Sequence, residues 1–209
     1  MNSNVLQITW LGHSCFVLEA ENYSIVMDPY TPDAVPGLEP IQIAANDVYC
    51  SHDHYDHNGD SYVTRRKSAP CPFTVRTVVG CHDHHNGQHR GSNTIHIFQY
   101  KDLEIVHLGD QGCPLTPAQI TEIGTPDVLL IPIGGYYTID AKEAYDMIQQ
   151  LKPHIAIPMH YRGEDFGYPE IETLVPFEKL CSDITYYFDN KLRITKDTSA
   201  QIAVLSYRR

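Results

Sequence analysis

The sequence has no apolar run long enough to cross a bilayer: the longest, such as Val128 to Ile133, fall far short of the about 20 residues a membrane-spanning helix needs. That absence argues against a helical membrane protein and leads us to expect a soluble chain with no membrane partner. Met1-Asn2-Ser3-Asn4 lacks a basic segment followed by an apolar one, so no secretion signal is read and a cytoplasmic location is expected. Positive charge is scarce too, with 15 Lys and Arg against 26 Asp and Glu and a formal net charge of -11. Nucleic-acid binders usually carry a basic face, so nucleic acid is not expected as a partner. Thr64-Arg65-Arg66-Lys67 is the one clear basic cluster and reads as a solvated loop or helix end.

Cys-x-x-Cys pairs are also missing. The six cysteines, Cys15, Cys50, Cys71, Cys81, Cys113 and Cys181, sit mostly in apolar strand-like segments and are expected to be reduced and buried. A thiolate-ligand role for Cys81 or Cys113 is the weaker alternative to simple packing. There is no repeat of fixed period and no low-complexity segment, and 209 residues suit one core, so a single domain over residues 1–209 is expected.

Against these absences stands Ser51-His52-Asp53-His54-Tyr55-Asp56-His57. Imidazole nitrogens and carboxylate oxygens are the donors that Zn²⁺, Mn²⁺ and Fe²⁺ take. His52 and His54, two residues apart, project to one side of extended backbone, and a turn after Tyr55 brings Asp56 and His57 toward a second ion. Composition alone sometimes gives a His-rich tract that binds metal without purpose. Here the run follows Asp47-Val48-Tyr49-Cys50, which reads as a buried strand opening into a loop.

Val5 to Trp10, Cys15 to Leu18 and Tyr23 to Met27 read as an antiparallel meander, and Phe73 to Val79, Thr94 to Tyr100 and Leu103 to Leu108 as three more strands, the last two turning at Lys101-Asp102. Thr116-Pro117 opens a helix through Ile123 that Gly124 ends. Asp140 caps a helix from Ala141 to Lys152, between strands at Val128 to Ile133 and Ile155 to Met159. A helix near Pro169 to Leu180 and strands at Ile184 to Phe188 and Gln201 to Leu205 complete the pattern. Strands followed by alternating helix and strand imply two packed sheets with outer helices.

Three more strands each lead into metal-competent side chains: Val78-Val79-Gly80-Cys81 into His82, Ile105-Val106-His107-Leu108-Gly109 into Asp110, and Ile155-Ala156-Ile157-Pro158-Met159 into His160. In this order the motifs resemble a metallo-β-lactamase-fold hydrolase, with His-x-His-x-Asp-His, a separate His, a Gly-Asp and a final His. Trp10-Leu11-Gly12-His13-Ser14, Asp127 to Gly135 and Leu151 to Tyr161 resemble its L-ascorbate-6-phosphate lactonase-like branch.

The resemblance implies an α/β (α+β) fold, a four-layer αββα sandwich of two mixed sheets flanked by helices. It implies that His52, His54 and His82 hold one divalent metal ion and that Asp56, His57 and His160 hold a second, with Asp110 bridging them. Zn²⁺ is the first choice, Mn²⁺ and Fe²⁺ are alternatives, and some members of this branch work with one ion. Asp56 and Asp110 are the expected catalytic residues, orienting a metal-activated hydroxide that attacks a small ester, lactone or phosphoester. A phosphodiesterase or nuclease of the same fold and a non-catalytic metal-binding protein are the rival readings. His84 or His85 lines the pocket and protonates the leaving group, or is an exposed loop residue. Asp28 and His13 orient ligands; His107 is functional or simply a satisfied buried histidine. Arg90 and Asn93 bind a substrate anion or anchor a loop, and Tyr136 and Tyr137 form a pocket wall or simply pack. The partner is a small-molecule substrate, with homo-oligomerisation left open.

Overall fold

Leu6, Ile8 and Trp10 alternate along the first strand and are buried, as are Phe16, Leu18, Ile25 and Met27 on the next two. This period of two puts one face of a sheet on a core. The computed structural model describes residues 5–67 and 69–207, so Met1 to Asn4, on which the leader reading rests, lie outside the described residues. The elements in chain order are β1 (Leu6–Gly12), β2 (Cys15–Ala20), β3 (Tyr23–Met27), β4 (Ala44–Ala45), β5 (Asp47–Tyr49), β6 (Thr64–Arg65), β7 (Phe73–Cys81), β8 (Ser92–Tyr100) and β9 (Leu103–His107). They continue with α1 (Pro117–Ile123), β10 (Val128–Pro132), α2 (Ala141–Leu151), β11 (Ile155–Met159), α3 (Val175–Glu178), β12 (Ile184–Tyr186), β13 (Lys191–Ile194) and β14 (Gln201–Val204).

Two mixed sheets form the expected sandwich. One has the order β13-β1-β2-β3-β5 and the other β12-β14-β11-β10-β9-β8-β7. Their inner faces share a core running from Leu6 and Trp10 to Leu129, Ile131 and Ile157. The opposite face of the first sheet, Cys15, Val17 and Val26, is covered by Tyr30, Val35, Leu38, Ile41 and Val63. Its cover is therefore a loop layer, while α1 touches β7 of the second sheet and α2.

Both longer helices begin as their sequences require. Thr116 with Gln119, and Asp140 with Glu143, form reciprocal capping boxes, which satisfy otherwise orphaned N–H groups. Ala144, Met147, Ile148 and Leu151 give α2 its buried face.

The structure corrects three expectations. The helix near Pro169 to Leu180 is only the single turn α3. Backbone ahead of it is held elsewhere: Glu172 N–H donates to Gly134 O at 2.8 Å and Arg162 N–H to Glu172 O at 2.9 Å. β13 had no counterpart in the sequence reading, yet it pairs antiparallel with β1 from Leu6 opposite Ile194 to Thr9 opposite Lys191. The cysteines are not uniformly reduced and buried: Cys81 and Cys113 form a disulfide, Cys15 is buried and Cys71 is exposed. Gly112 N–H donates to Cys81 O at 2.7 Å, so the two segments lie side by side. Thr64–Arg65 of the basic cluster is the short strand β6, paired with β4. No helix among the described residues is long and apolar enough to cross a membrane.

Candidate metal centre

Strand direction gathers the site. In the first sheet β1 and β3 both run antiparallel to β2, and β5 runs parallel to β3. Their carboxyl ends therefore share one edge, where His13, Asp28 and Ser51 to His57 follow. In the second sheet β7 and β9 are both antiparallel to β8, and β9, β10 and β11 are parallel. Their carboxyl ends lead to His82, Asp110, Tyr137 and His160. Loops at the ends of a rigid scaffold are where chemistry is usually placed.

The ligand atoms of His52, His54 and His82 lie within 4.8 Å of one another, as do those of His13, Asp56, His57 and His160. Asp110 stands between the groups. Its Oδ1 is 3.1 Å from His57 Nε2, and its Oδ2 is 3.2 Å from His160 Nε2, 3.6 Å from His82 Nε2 and 4.0 Å from His52 Nε2. The structure thus brings together all seven residues read from the sequence. His13, read there only as an orienting residue, joins the second group, with Nε2 3.2 Å from Asp56 Oδ2.

A cation fits this arrangement for a reason visible in the side chains themselves. Nε2 of His52, His57 and His160 and Oδ1 of Asp110 are buried without a hydrogen-bond partner among the described residues. Such atoms are costly to bury, and here they converge. The other nitrogens of two of these rings are occupied. His57 Nδ1 lies 2.9 Å from Asp28 Oδ2, and His52 Nδ1 2.9 Å from Ser51 Oγ, so Nε2 of each faces inward.

Asp28 also accepts from Ser51 N–H at 2.6 Å and Ser51 Oγ at 2.7 Å, confirming its place behind the histidine run. Asn93 is buried and anchors the opposite loop. Its Oδ1 accepts from Asp110 N–H at 3.0 Å, and its Nδ2 donates to Leu108 O at 2.8 Å. His107 is a satisfied core histidine between Ser14 O and Gly109 N–H. Gly109 has φ +56°, and a Cβ there would run into Asn93 Oδ1 and the Ser51 side chain. His13, Asp28 and His160 also hold positive φ, at 51°, 44° and 52°, a strained backbone that persists where surrounding structure enforces it.

Electrostatics separate the rings. Burial and the neighbouring His160 lower the pKa of His13 from 6.5 to about 4, and burial with His57 lowers that of His52 to about 3. For His57 burial acts downward, but Asp110, Asp56 and Asp28 outweigh it and hold its pKa well above 6.5. Burial opposes ionisation of Asp110 and Asp56, yet His160 and His57 beside the first, and His57 and His13 beside the second, hold both well below the usual carboxylate range.

A cavity of about 520 Å³ opens over this cluster, lined by His54, Asp56, His82 and Asp110 and by Ala34, Tyr55, Arg90, Tyr137 and Tyr168. His84 and His85 do not line it. His84 Nε2 lies 2.8 Å from Glu143 Oε1 on α2, and His85 stacks on His89. Tyr136 is 69% exposed and does not line the cavity, although its ring meets that of Tyr137, which does. Tyr168 was not singled out in the sequence, since a tyrosine after Gly167 carries no pattern. Its hydroxyl donates to Ala34 O at 2.7 Å, and its ring meets that of His13.

Residues 7–160 match the family described as beta-lactamase superfamily domain. A UPF0173 metal-dependent hydrolase from Carboxydothermus hydrogenoformans is 29% identical, covering 75% of this chain and 84% of that protein. A Thermotoga maritima protein of the metallo-beta-lactamase superfamily has a crystal structure similar to this one. It is 31% identical, with TM-score 0.76 over 96% of this chain and 98% of that one. Igni18, a metallo hydrolase from Ignicoccus hospitalis, shares the fold at 21% identity and TM-score 0.63, over 84% and 89% of the two chains. The chain belongs to the metallo-β-lactamase superfamily, among relatives named UPF0173 metal-dependent hydrolases.

Proposed function

We propose that this protein is a metal-dependent hydrolase that cleaves a small ester, lactone or phosphoester with water. His52, His54 and His82 hold one divalent cation, Asp56, His57 and His160 the other, and Asp110 lies between them. The observation that carries this reading is the convergence of buried Nε2 atoms, which make no hydrogen bond among the described residues, on the Asp110 carboxylate at 3.1 Å from His57 and 3.2 Å from His160. When bound, the two cations supply Lewis acidity and make water acidic enough to ionise near neutral pH. Zn²⁺ is the first choice, because the donors are nitrogen and oxygen and the Thermotoga maritima relative is described in terms of zinc. Mn²⁺ and Fe²⁺ suit the same donors.

The chain's own groups do the rest. Asp56 and Asp110, both kept ionised, orient the attacking water. Asp28 fixes the His57 ring. Tyr168 keeps its phenolic proton at neutral pH, because burial and Asp56 raise its pKa. It lines the cavity with its hydroxyl tied to Ala34 O, so it shapes the wall beside Asp56. A cavity of about 520 Å³ is the size of small-molecule sites, which favours a small substrate over a polymer. Lactones are included because Trp10 to Ser14, Asp127 to Gly135 and Leu151 to Tyr161 resemble the lactonase-like branch.

The test is a screen of metal-loaded and metal-stripped protein against lactones, carboxylic esters and phosphodiesters. Metal-dependent turnover of at least one class is expected. Identical behaviour of the two samples on every substrate contradicts the proposal.

A further inference from the structure

Arg90 is the one cationic side chain on the wall of the site cavity, and it is built into place. It closes a tight loop after His82. The Asp83 carboxylate accepts four backbone N–H groups there, from His85 at 2.7 Å, Gly87 at 3.1 Å, His89 at 3.0 Å and Arg90 itself at 2.8 Å. His84 ties the same loop to Glu143 on α2. The guanidinium carbon of Arg90 sits 4.4 Å from the centre of the Tyr137 ring, a cation–π contact that fixes its plane without using its donors.

Those donors are free. Arg65, Arg76, Arg162 and Arg193 each have a hydrogen-bonded partner for the guanidinium, while Arg66 is exposed beside β6. Among the described residues, Arg90 has neither an ion pair nor a hydrogen bond from its guanidinium, although Asp53 and Asp56 line the same cavity. Arg90 and His54 also border a second cavity of about 500 Å³ on the other side of the histidine run. A half-buried, preorganised guanidinium with five unused donors matches the bidentate oxygens of a carboxylate or phosphate.

On this basis we propose that Arg90, held by Tyr137, is an anion anchor that makes the enzyme select substrates carrying a carboxylate or phosphate group away from the scissile bond. The inference rests on the hydrolase reading above and narrows its substrate class to anionic esters and lactones. The shared chemistry is an oxyanion accepting two parallel N–H bonds.

Binding tests it without any turnover. The zinc-loaded protein is titrated calorimetrically with succinate, glutarate and adipate, and with butyrate, valerate and hexanoate of matching length. Each pair offers the same carboxylate to the metal end, and only the first member offers a second oxyanion to Arg90. For at least one length the dicarboxylate should bind about tenfold or more tightly, corresponding to ~1.4 kcal/mol. In Arg90→Gln, checked for wild-type zinc content, that ratio should collapse to about one, and Arg90→Lys should keep part of it. Tyr137→Leu should reduce the ratio, and Tyr137→Phe should retain it. 3-Phosphonopropionate in place of succinate tells a phosphate-bearing from a carboxylate-bearing substrate. No dicarboxylate preference at any length, or an undiminished one in Arg90→Gln, overturns the proposal. Preference without turnover of any ester leaves the anchor standing and removes the hydrolase reading instead.

Discussion

His57 Nδ1 lies 2.9 Å from Asp28 Oδ2, and the pair is fully enclosed at the carboxyl ends of β3 and β5. The carboxylate fixes the ring's tautomer, so Nε2 is the nitrogen presented to Asp56 and Asp110. Replacing Asp28 by Asn keeps the shape and removes the charge that does this. We expect Asp28→Asn to weaken metal binding about 10–100-fold, read by competition with a chromophoric chelator.

Asp110 is the shared neighbour of four imidazoles. Its removal leaves both groups of side chains without their common carboxylate neighbour. Asp110→Ala should abolish turnover while circular dichroism still reports a folded sandwich. Full activity in that variant would remove Asp110 from the mechanism.

Gly109 fits its neighbours only because it has no side chain. A Cβ at φ +56° would press on Asn93 and Ser51, the residues that hold Asp110 and the histidine run. Gly109→Ala should cost about 1–3 kcal/mol, or ~2–4 °C of Tm per kcal/mol in a chain of this size. It should also lower metal affinity, whereas an exposed-loop substitution would leave both unchanged.

Proton binding gives the metal-free protein a definite pH profile. His13 and His52 have folded pKa values of about 4 and about 3, below the ordinary 6.5. Their contribution is present above 6.5 and is lost as pH falls toward those values, because the unfolded chain takes up protons that the fold refuses. His57 has the opposite sign: its raised pKa contributes stability that is complete below 6.5 and is lost as pH rises through the folded value. Thermal melts of metal-free protein should therefore show a maximum near pH 6.5. If His57 is a metal ligand as proposed, it is neutral when metal binds, and added Zn²⁺ should remove the alkaline decline. A metal-free Tm that climbs steadily on acidification from pH 6.5 would contradict the assignment.

Much of this was legible in the chain because the signals are local. Thr116 and Asp140 announce their helices, and an imidazole or carboxylate directly after each strand marks where ligands gather. The remainder depends on distant partners. β13 is defined by its pairing with β1, which no nearby residue encodes. The Cys81–Cys113 disulfide arises from the approach of the end of β7 to the loop after β9. Loop direction is equally silent: His84 and His85 turn toward α2 and His89, while Arg90, five residues further on, turns into the cavity. His13 reads only as an orienting residue until the end of β1, one strand removed from β3, places it against Asp56 and His160.

Two groups of side chains meet at Asp110, and equilibrium titration of metal-stripped protein with Zn²⁺ reads most directly whether they hold two ions. The expectation is two equivalents per chain, with the stoichiometry reduced in Asp110→Ala. Binding of no ion, or an unaltered stoichiometry and affinity when Asp110 is removed, would contradict it.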